Sequence, residues 1–305
     1  MNTIKENVKF LMDKLDFPTE AQEVLLGALD TIGADKVAFL WLTRLMDEHN
    51  QNINCNYDRM LADFVALCNT FGIHEYTAGM LLYLCLGEKL RERYLEKGID
   101  ESIYYKSMYD LRYKLEECRL VYGIVGTFVA FWYPHFFKMD LFAFKRLQFE
   151  IITFSKEYKI GDTVIPAGSK ALNMHIPRTG TKLDREDVLE SYREAAEFFA
   201  DQFTDQPMIF TCASWMLDPF HETVLPPTSN LVLFYRDFAT IETGVYKDYK
   251  GLWRVFDRYF DNNPDEMPAD TTLRRAYIER VKRGEPTCWT RGVFFWEDGK
   301  IVTPK

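Results

Sequence analysis

The stretch LNMHIPRTGTKLDREDV, residues 172–188, holds the residues of this chain best suited to gripping an anion. Its first half alternates like a strand, Pro177 and Gly180 turn the chain beside two threonines, and its second half begins a helix. A loop running from a strand into a helix N-terminus points free backbone N–H groups outward, which is the geometry that holds phosphate. Arg178 adds a planar two-pronged donor and Lys182 a point charge. Asp184, Glu186 and Asp187 load the helix start with negative charge, so a phosphate would have to lie over residues 178–182. The same residues also fit a plain surface connection with a solvated Arg and Lys, and by themselves they do not choose.

His175 ends the strand that feeds this loop, a position where open α/β sheets meet their ligands. Cys212 and Ser214, at the end of the next expected strand, alternate onto one face, so a nucleophile served by a histidine base is one chemistry available. No G-x-S-x-G elbow surrounds Ser214, and no acid is placed by sequence to orient the imidazole. Arg146, Gln148 and Glu150 share one face of a strand read over KRLQFEIITF, residues 145–154. A polar face there either meets water, with Arg146 paired to Glu150, or lines a site in which Glu150 serves as general base. Asp218 reads as the N-cap of PFHETVL. No His, Cys and carboxylate cluster has metal-ligand spacing, so no metal is expected.

Those residues need elements to hold them. Over the first 120 or so residues the apolar positions recur every three to four, as in Ile4, Val8, Leu11 and Leu15, which predicts helix after helix. Thr19 with Gln22 has the form of a capping box. The segment from Glu75 to Lys97 is apolar nearly all round through GMLLYLCLG, which places its first half at the centre of a helical domain, while Gly72 and Gly98 read as helix stops. Beyond residue 140 the period shortens to two, with strands expected at 145–154, ALNMHI, PMIFTCAS, ATIETGVY, LWRVFD and RGVFFWE. Helices are expected from Asp184 to Phe199 and through DTTLRRAYIERVKRG, and SNLVLFYRDF fits either period. Strands alternating with helical crossovers predict a partly parallel mixed sheet.

The chain has 305 residues, a net charge of −9, and 47% apolar against 27% charged residues. That composition supports sizeable cores and argues against nucleic acid as a partner, because non-specific binding needs clustered Lys and Arg. The most apolar run, LVYGIVGTFVAFW at 120–132, is shorter than the about 20 residues of a membrane span. It reads as a buried helix, and no membrane partner is expected. The N-terminus lacks the apolar core of a signal peptide, and six cysteines without C-x-x-C spacing fit reduced thiols. A cytoplasmic location is the expectation.

LQFE, HIPRTGTKL with its following helix, CASWMLDP, P-P-T-S-N-L-x-x-F and DTTLRRA, in that order and spacing, resemble a family of bacterial acyltransferase-domain proteins. These join an α-helical N-terminal domain to a GNAT-like C-terminal domain, and the likeness is strongest over residues 145–300. It implies an α+β fold, with a helical domain over 1–140 and a GNAT-like mixed-sheet domain over 141–305. It also implies an acyl-CoA-dependent N-acyltransferase, with acetyl-CoA or another acyl-CoA as co-substrate and a small-molecule amine as acceptor. Met174 and Ile176 would flank the pantetheine arm, Arg178, Thr179, Gly180, Thr181 and Lys182 would receive the pyrophosphate, and Ser214 would lie on a strand that splays away. Glu150 or His175 would be the base and Tyr235 the acid. The GNAT signature of Arg or Gln, two residues, Gly, one residue, then Gly or Ala is not met: Gly180 comes one residue early and has no small partner. The alternatives are a non-catalytic binding protein on the same core and, further off, a Ser or Cys hydrolase. Abundant aromatic residues leave a homodimer open.

Overall fold

Six helices occupy the first part of the chain: α1 (Asn2–Lys14), α2 (Thr19–Ala34), α3 (Lys36–Gln51), α4 (Tyr57–Asn69), α5 (Glu75–Glu96) and α6 (Glu101–Tyr122). The computed structural model describes residues 1–304. Three of these helices begin on side-chain oxygens of Asp35, Asn56 and Asp100, which accept first-turn N–H groups. The Thr19 to Gln22 capping box does not form. Pro18 holds the N-cap, and Gln22 turns its amide to Phe17 O and Asp13.

Helix α5 is the hub. Every residue from Thr77 to Gly87 is buried, because α1, α2, α3, α4 and α6 all pack on it. Gly87 lets α1 pack close, since a Cβ there would stand 2.4 Å from Leu11 Cδ2. Residues 120–132 are not one buried helix. Helix α6 stops at Tyr122, where Gly123 takes a left-handed φ of 70°, and a 3-10 turn at Ala130–Trp132 precedes the short α7 (Pro134–Phe137). Two glycines within GIVGT, among β-branched neighbours, outweigh the apolar character of the run.

The chain divides into two compact units, residues 1–142 and the remainder from Ala143. From Leu141 onward the chain forms, in order, β1 (Leu141–Phe144), β2 (Leu147–Thr153), β3 (Tyr158–Ile160), β4 (Thr163–Ile165), β5 (Lys170–His175), α8 (Arg185–Phe198), β6 (Met208–Ser214), α9 (Phe220–Val224) and α10 (Asn230–Tyr235). There follow β7 (Ala239–Val245), α11 (Trp253–Phe256), α12 (Thr272–Lys282), β8 (Cys288–Glu297) and β9 (Lys300–Val302). The sheet runs β1-β2-β5-β6-β8-β7, with β9 also on β8, while β3 and β4 form a separate hairpin. Pairings β2–β5, β6–β8, β7–β8 and β8–β9 are antiparallel. β5 and β6 are parallel, joined by the crossover helix α8. Helices followed by a mixed sheet is the α+β class expected.

Two local expectations change. The strand read over 145–154 starts at Leu147, because Lys145, at φ 47°, and Arg146 make the tight turn that joins β1 to β2. LWRVFD is not a strand but a 3-10 turn, Lys250–Leu252, running into α11. Leu252, Val255 and Phe256 stand at helical spacing and enter one cluster with Phe260, Met267, Tyr277 and Ile278.

The two faces of the sheet have different cores. On one, Tyr192 of α8 packs on Phe210 and Phe294, whose rings stack at 5.0 Å. On the other, Ala171, Ile209 and Val293 pack with Phe154, Tyr158 and Ile165.

Candidate functional site

Antiparallel register places Glu150 opposite Asn173 and Gln148 opposite His175. Two-residue alternation then puts Glu150, Asn173 and His175 on the face away from α8, where the apolar cluster around Ala171 gives way to polar side chains. Glu150 Oε1 lies 2.8 Å from His175 Nε2 and 2.9 Å from Asn173 Nδ2, and Asn173 Nδ2 approaches His175 Nε2 to 3.1 Å. An ionised carboxylate only accepts, so His175 Nε2–H and the Asn173 amide both donate to Glu150. The tautomer, assigned from this network, leaves the basic lone pair on Nδ1. A carboxylate that fixes an imidazole in this way holds a general base in one tautomer and stabilises the imidazolium it becomes. The side chains are 27% exposed for His175 and 14% for Glu150, so the base is reachable while its partner is shielded.

The parallel ladder between β5 and β6 ends here. It is confined to Leu172↔Phe210 and Asn173↔Thr211, and the ladder is not continued to His175 and Ser214. The C-terminal ends of such strands are where open α/β sheets meet their ligands.

The loop after β5 is held from both sides. Arg146 Nη1 donates to Pro177 O at 2.8 Å, Gly180 turns at φ 77°, and the Thr179 and Thr181 hydroxyls lie 2.8 Å apart. Asp184 caps α8 by accepting from Glu186 N. Arg178 does not simply stand over the loop: its Nε donates to Asp257 Oδ1 at 2.6 Å, while Arg274 Nη2 donates to Asp257 Oδ2 at 2.8 Å. Two guanidinium groups share one carboxylate, which keeps Arg178 in place beside the loop, while Arg274 is also paired with Asp270 at 2.9 Å. Lys182 is exposed.

Other expected residues fall elsewhere. Met174 is buried opposite Phe149 on the α8 face, so it can offer a ligand its backbone only, and Ile176 is half-buried at the loop entrance. Ser214 Oγ accepts from Met216 N at 3.1 Å and opens the 3-10 turn Trp215–Leu217. From the Asn173↔Thr211 register, Cys212 and Ser214 lie on the face opposite His175. Burial pushes the Cys212 thiol up to about 12. Neither residue is served by that imidazole, and the hydrolase arrangement is not built. Arg146, in the β1–β2 turn, does not share a strand face with Glu150. Tyr235 stands on α10, which packs on α8, α9 and the turn Trp215–Leu217. Asp218 is not the N-cap of α9, a place Pro219 holds; one residue earlier, it accepts from Phe220 N at 3.0 Å, Arg280 Nη1 at 2.6 Å and Cys288 N at 3.1 Å.

Asn173, Asp257 and Arg274 were not among the expected residues. Asn173 was legible by alternation, two positions before His175 on the same strand. Asp257 lies 79 residues from Arg178, and nothing in the sequence joins them. Among the described residues, no three or more His, Cys, Asp or Glu are placed to hold a metal, and no helix is long and apolar enough to cross a membrane.

Comparison with known proteins follows the same division. Residues 6–139 match the N-acyltransferase N-terminal domain, and residues 141–294 match the GNAT-like C-terminal domain. No curated protein matches the chain. Among solved structures, an acyltransferase in complex with decanoyl-CoA and teicoplanin aligns with a TM-score of 0.73 at 22% identity, covering 95% of this chain and 88% of that one. An acyltransferase mutant in complex with octanoyl-CoA aligns with a TM-score of 0.72 at 23% identity, covering 94% and 87%. At these identities the likeness establishes a shared fold across nearly the whole chain. The chain belongs to the family with a GNAT-like C-terminal domain, preceded here by an N-acyltransferase N-terminal domain.

Proposed function

We propose that this protein is an acyl-CoA-dependent N-acyltransferase acting on a small-molecule amine. The carrying observation is the Glu150–Asn173–His175 network set where the β5–β6 ladder ends. Support comes also from the matched N-acyltransferase domain and from neighbours of the same fold that hold decanoyl-CoA or octanoyl-CoA, one of them together with teicoplanin. In this reading the pantetheine arm enters between β5 and β6, and its diphosphate lies over Arg178, Thr179, Gly180, Thr181 and Lys182. Ser214 stands at the splayed end, where the thioester arrives.

The acceptor nitrogen attacks the thioester carbonyl carbon and gives its proton to His175 Nδ1. Glu150, bonded at Nε2, stabilises the imidazolium that forms. The tetrahedral intermediate then collapses, the C–S bond breaks, and the imidazolium returns the proton to the departing thiolate. Amide and coenzyme A leave, with every proton accounted for and no metal required. His175 thus does the work of both base and acid, and Tyr235 is not needed as the acid.

Calorimetric titration with coenzyme A and acetyl-CoA tests the donor. Saturable binding below millimolar concentration is expected, and its absence at millimolar ligand would overturn the reading.

A further inference from the structure

The sheet face that carries Glu150, Asn173 and His175 continues past β6 to an arginine used by none of the chemistry above. Ile209 and Val293 pack in one cluster with Ala171, so two-residue alternation sends Asn173 and His175 of β5, Ala213 of β6 and Arg291 of β8 to that same face. His175 and Ala213 stand two residues beyond the last ladder pair, Asn173↔Thr211. Ala213 is opposite Arg291, and Arg291 is opposite Glu242 on β7. Two strand spacings, roughly 10 Å, therefore separate β5 from β8 across β6. Between them Ala213 offers only a methyl group, and it is exposed.

Arg291 is half-buried, and its Nε–H is buried with no acceptor. Among the described residues it enters no ion pair. The carboxylates on this face are already engaged: Glu242 accepts from Lys156 Nζ at 3.0 Å and from the Tyr158 hydroxyl at 3.4 Å, and Glu150 accepts from His175 and Asn173. A guanidinium keeps its proton in a protein, so a half-buried one without an anion carries a desolvation penalty that a bound anion removes. Its planar fork of donors matches a carboxylate. The acyl donor brings no such group to this place, since its thioester is uncharged and its diphosphate is assigned to residues 178–182. That leaves the acceptor.

We propose that Arg291 binds a carboxylate of the acceptor, so that the acceptor is an amino carboxylate and not a simple amine; the proposal rests on the acyl-CoA reading above. With its amino group at His175 Nδ1 and its carboxylate at Arg291, one small molecule lies across the exposed Ala213. The nitrogen forms the new C–N bond, its proton passes through His175 to the departing thiolate, and the carboxylate is unchanged. The products are an N-acyl amino carboxylate and coenzyme A. A charge-assisted bond of this kind tightens binding about tenfold to a hundredfold.

The test follows coenzyme A release by the whole protein with acetyl-CoA and octanoyl-CoA as donors. Glycine, β-alanine, γ-aminobutyrate and ε-aminocaproate are each compared with the alkylamine that lacks the carboxylate: methylamine, ethylamine, propylamine and pentylamine. At least one amino carboxylate is expected to exceed its alkylamine about tenfold or more in kcat/KM. Arg291→Met, which keeps the hydrocarbon stem, should bring that ratio down toward one through KM, and Arg291→Lys, which keeps the charge, should restore part of it. Glu242→Gln should leave the ratio as in wild type. Alkylamines used as well as their amino carboxylates, or no amino carboxylate used by a protein that binds coenzyme A, overturn this proposal and leave the donor reading standing, whereas no binding of any coenzyme A species overturns both. A ratio that survives Arg291→Met, or a loss of coenzyme A affinity in that variant, also overturns it, because the guanidinium then serves another group.

Discussion

Glu150 and His175 are 25 residues apart in sequence and 2.8 Å apart in space, and each explains the other. A carboxylate in a half-buried polar strip needs a donor, and an imidazole with one nitrogen committed becomes a base of fixed direction. His175→Ala should lower turnover about 100-fold or more, the span usual for a general base, while coenzyme A affinity stays within about twofold. Glu150→Gln should lower turnover less and shift its pH profile, because the amide oxygen can still accept from Nε2–H but cannot stabilise the imidazolium; identical pH profiles for this variant and wild type would remove Glu150 from the mechanism. Arg178→Ala should weaken coenzyme A binding about tenfold, the worth of one charge-assisted bond. An unchanged affinity there would place the diphosphate elsewhere. Of these residues the sequence offered Glu150, His175 and Arg178 as candidates, since strand-end and loop positions carry them. It could not show that Arg178 shares Asp257 with Arg274, because that contact joins segments with no common pattern.

At the level of elements, periodicity was a good guide wherever one face is buried and a poor one at turns. The strands ALNMHI and PMIFTCAS and the helix beginning at Asp184 were all visible, since alternation and a carboxylate cap are local signals. Asp184→Ala should cost about 1 kcal/mol through loss of the α8 cap, read as a drop in urea midpoint with the slope unchanged. Phe210→Ala should cost about 3–5 kcal/mol, because that ring stacks on Phe294 and touches Phe149 and Tyr192. A loss below about 1 kcal/mol would mean that the face is loosely packed. The failures are instructive in the same terms. LWRVFD is short and apolar, and only its partners in the cluster around Phe256 decided for helix over strand. The 120–132 run broke because a turn residue, Gly123, counts for more than average hydropathy.

For the molecule as a whole, two fully buried imidazoles set a limit at low pH. Burial, the largest cause in each case, holds His221 down to about 4 and His49 to about 3. In the unfolded chain both titrate near their ordinary value of about 6.5. Between those values the unfolded state binds more protons, so stability falls as pH drops below 6.5 and is fully retained above it. By pH 5 each imidazole should account for about 2 kcal/mol of lost stability. Denaturation midpoints measured at pH 7 and pH 5 check this, and replacing His221 by Gln should flatten part of the slope; equal midpoints at the two pH values would rule the effect out.

The sequence by itself determined that helices precede a mixed sheet, and it marked the strand-to-helix loop at residues 172–188, because these follow from local period, capping and turn chemistry. Tertiary structure alone decided that His175 meets Glu150 rather than Cys212 or Ser214, and that Asp257 holds Arg178 beside the loop. Register between strands sets which face a side chain takes and whom it meets there, and a one-residue difference between β2 and β5 would turn His175 away from Glu150.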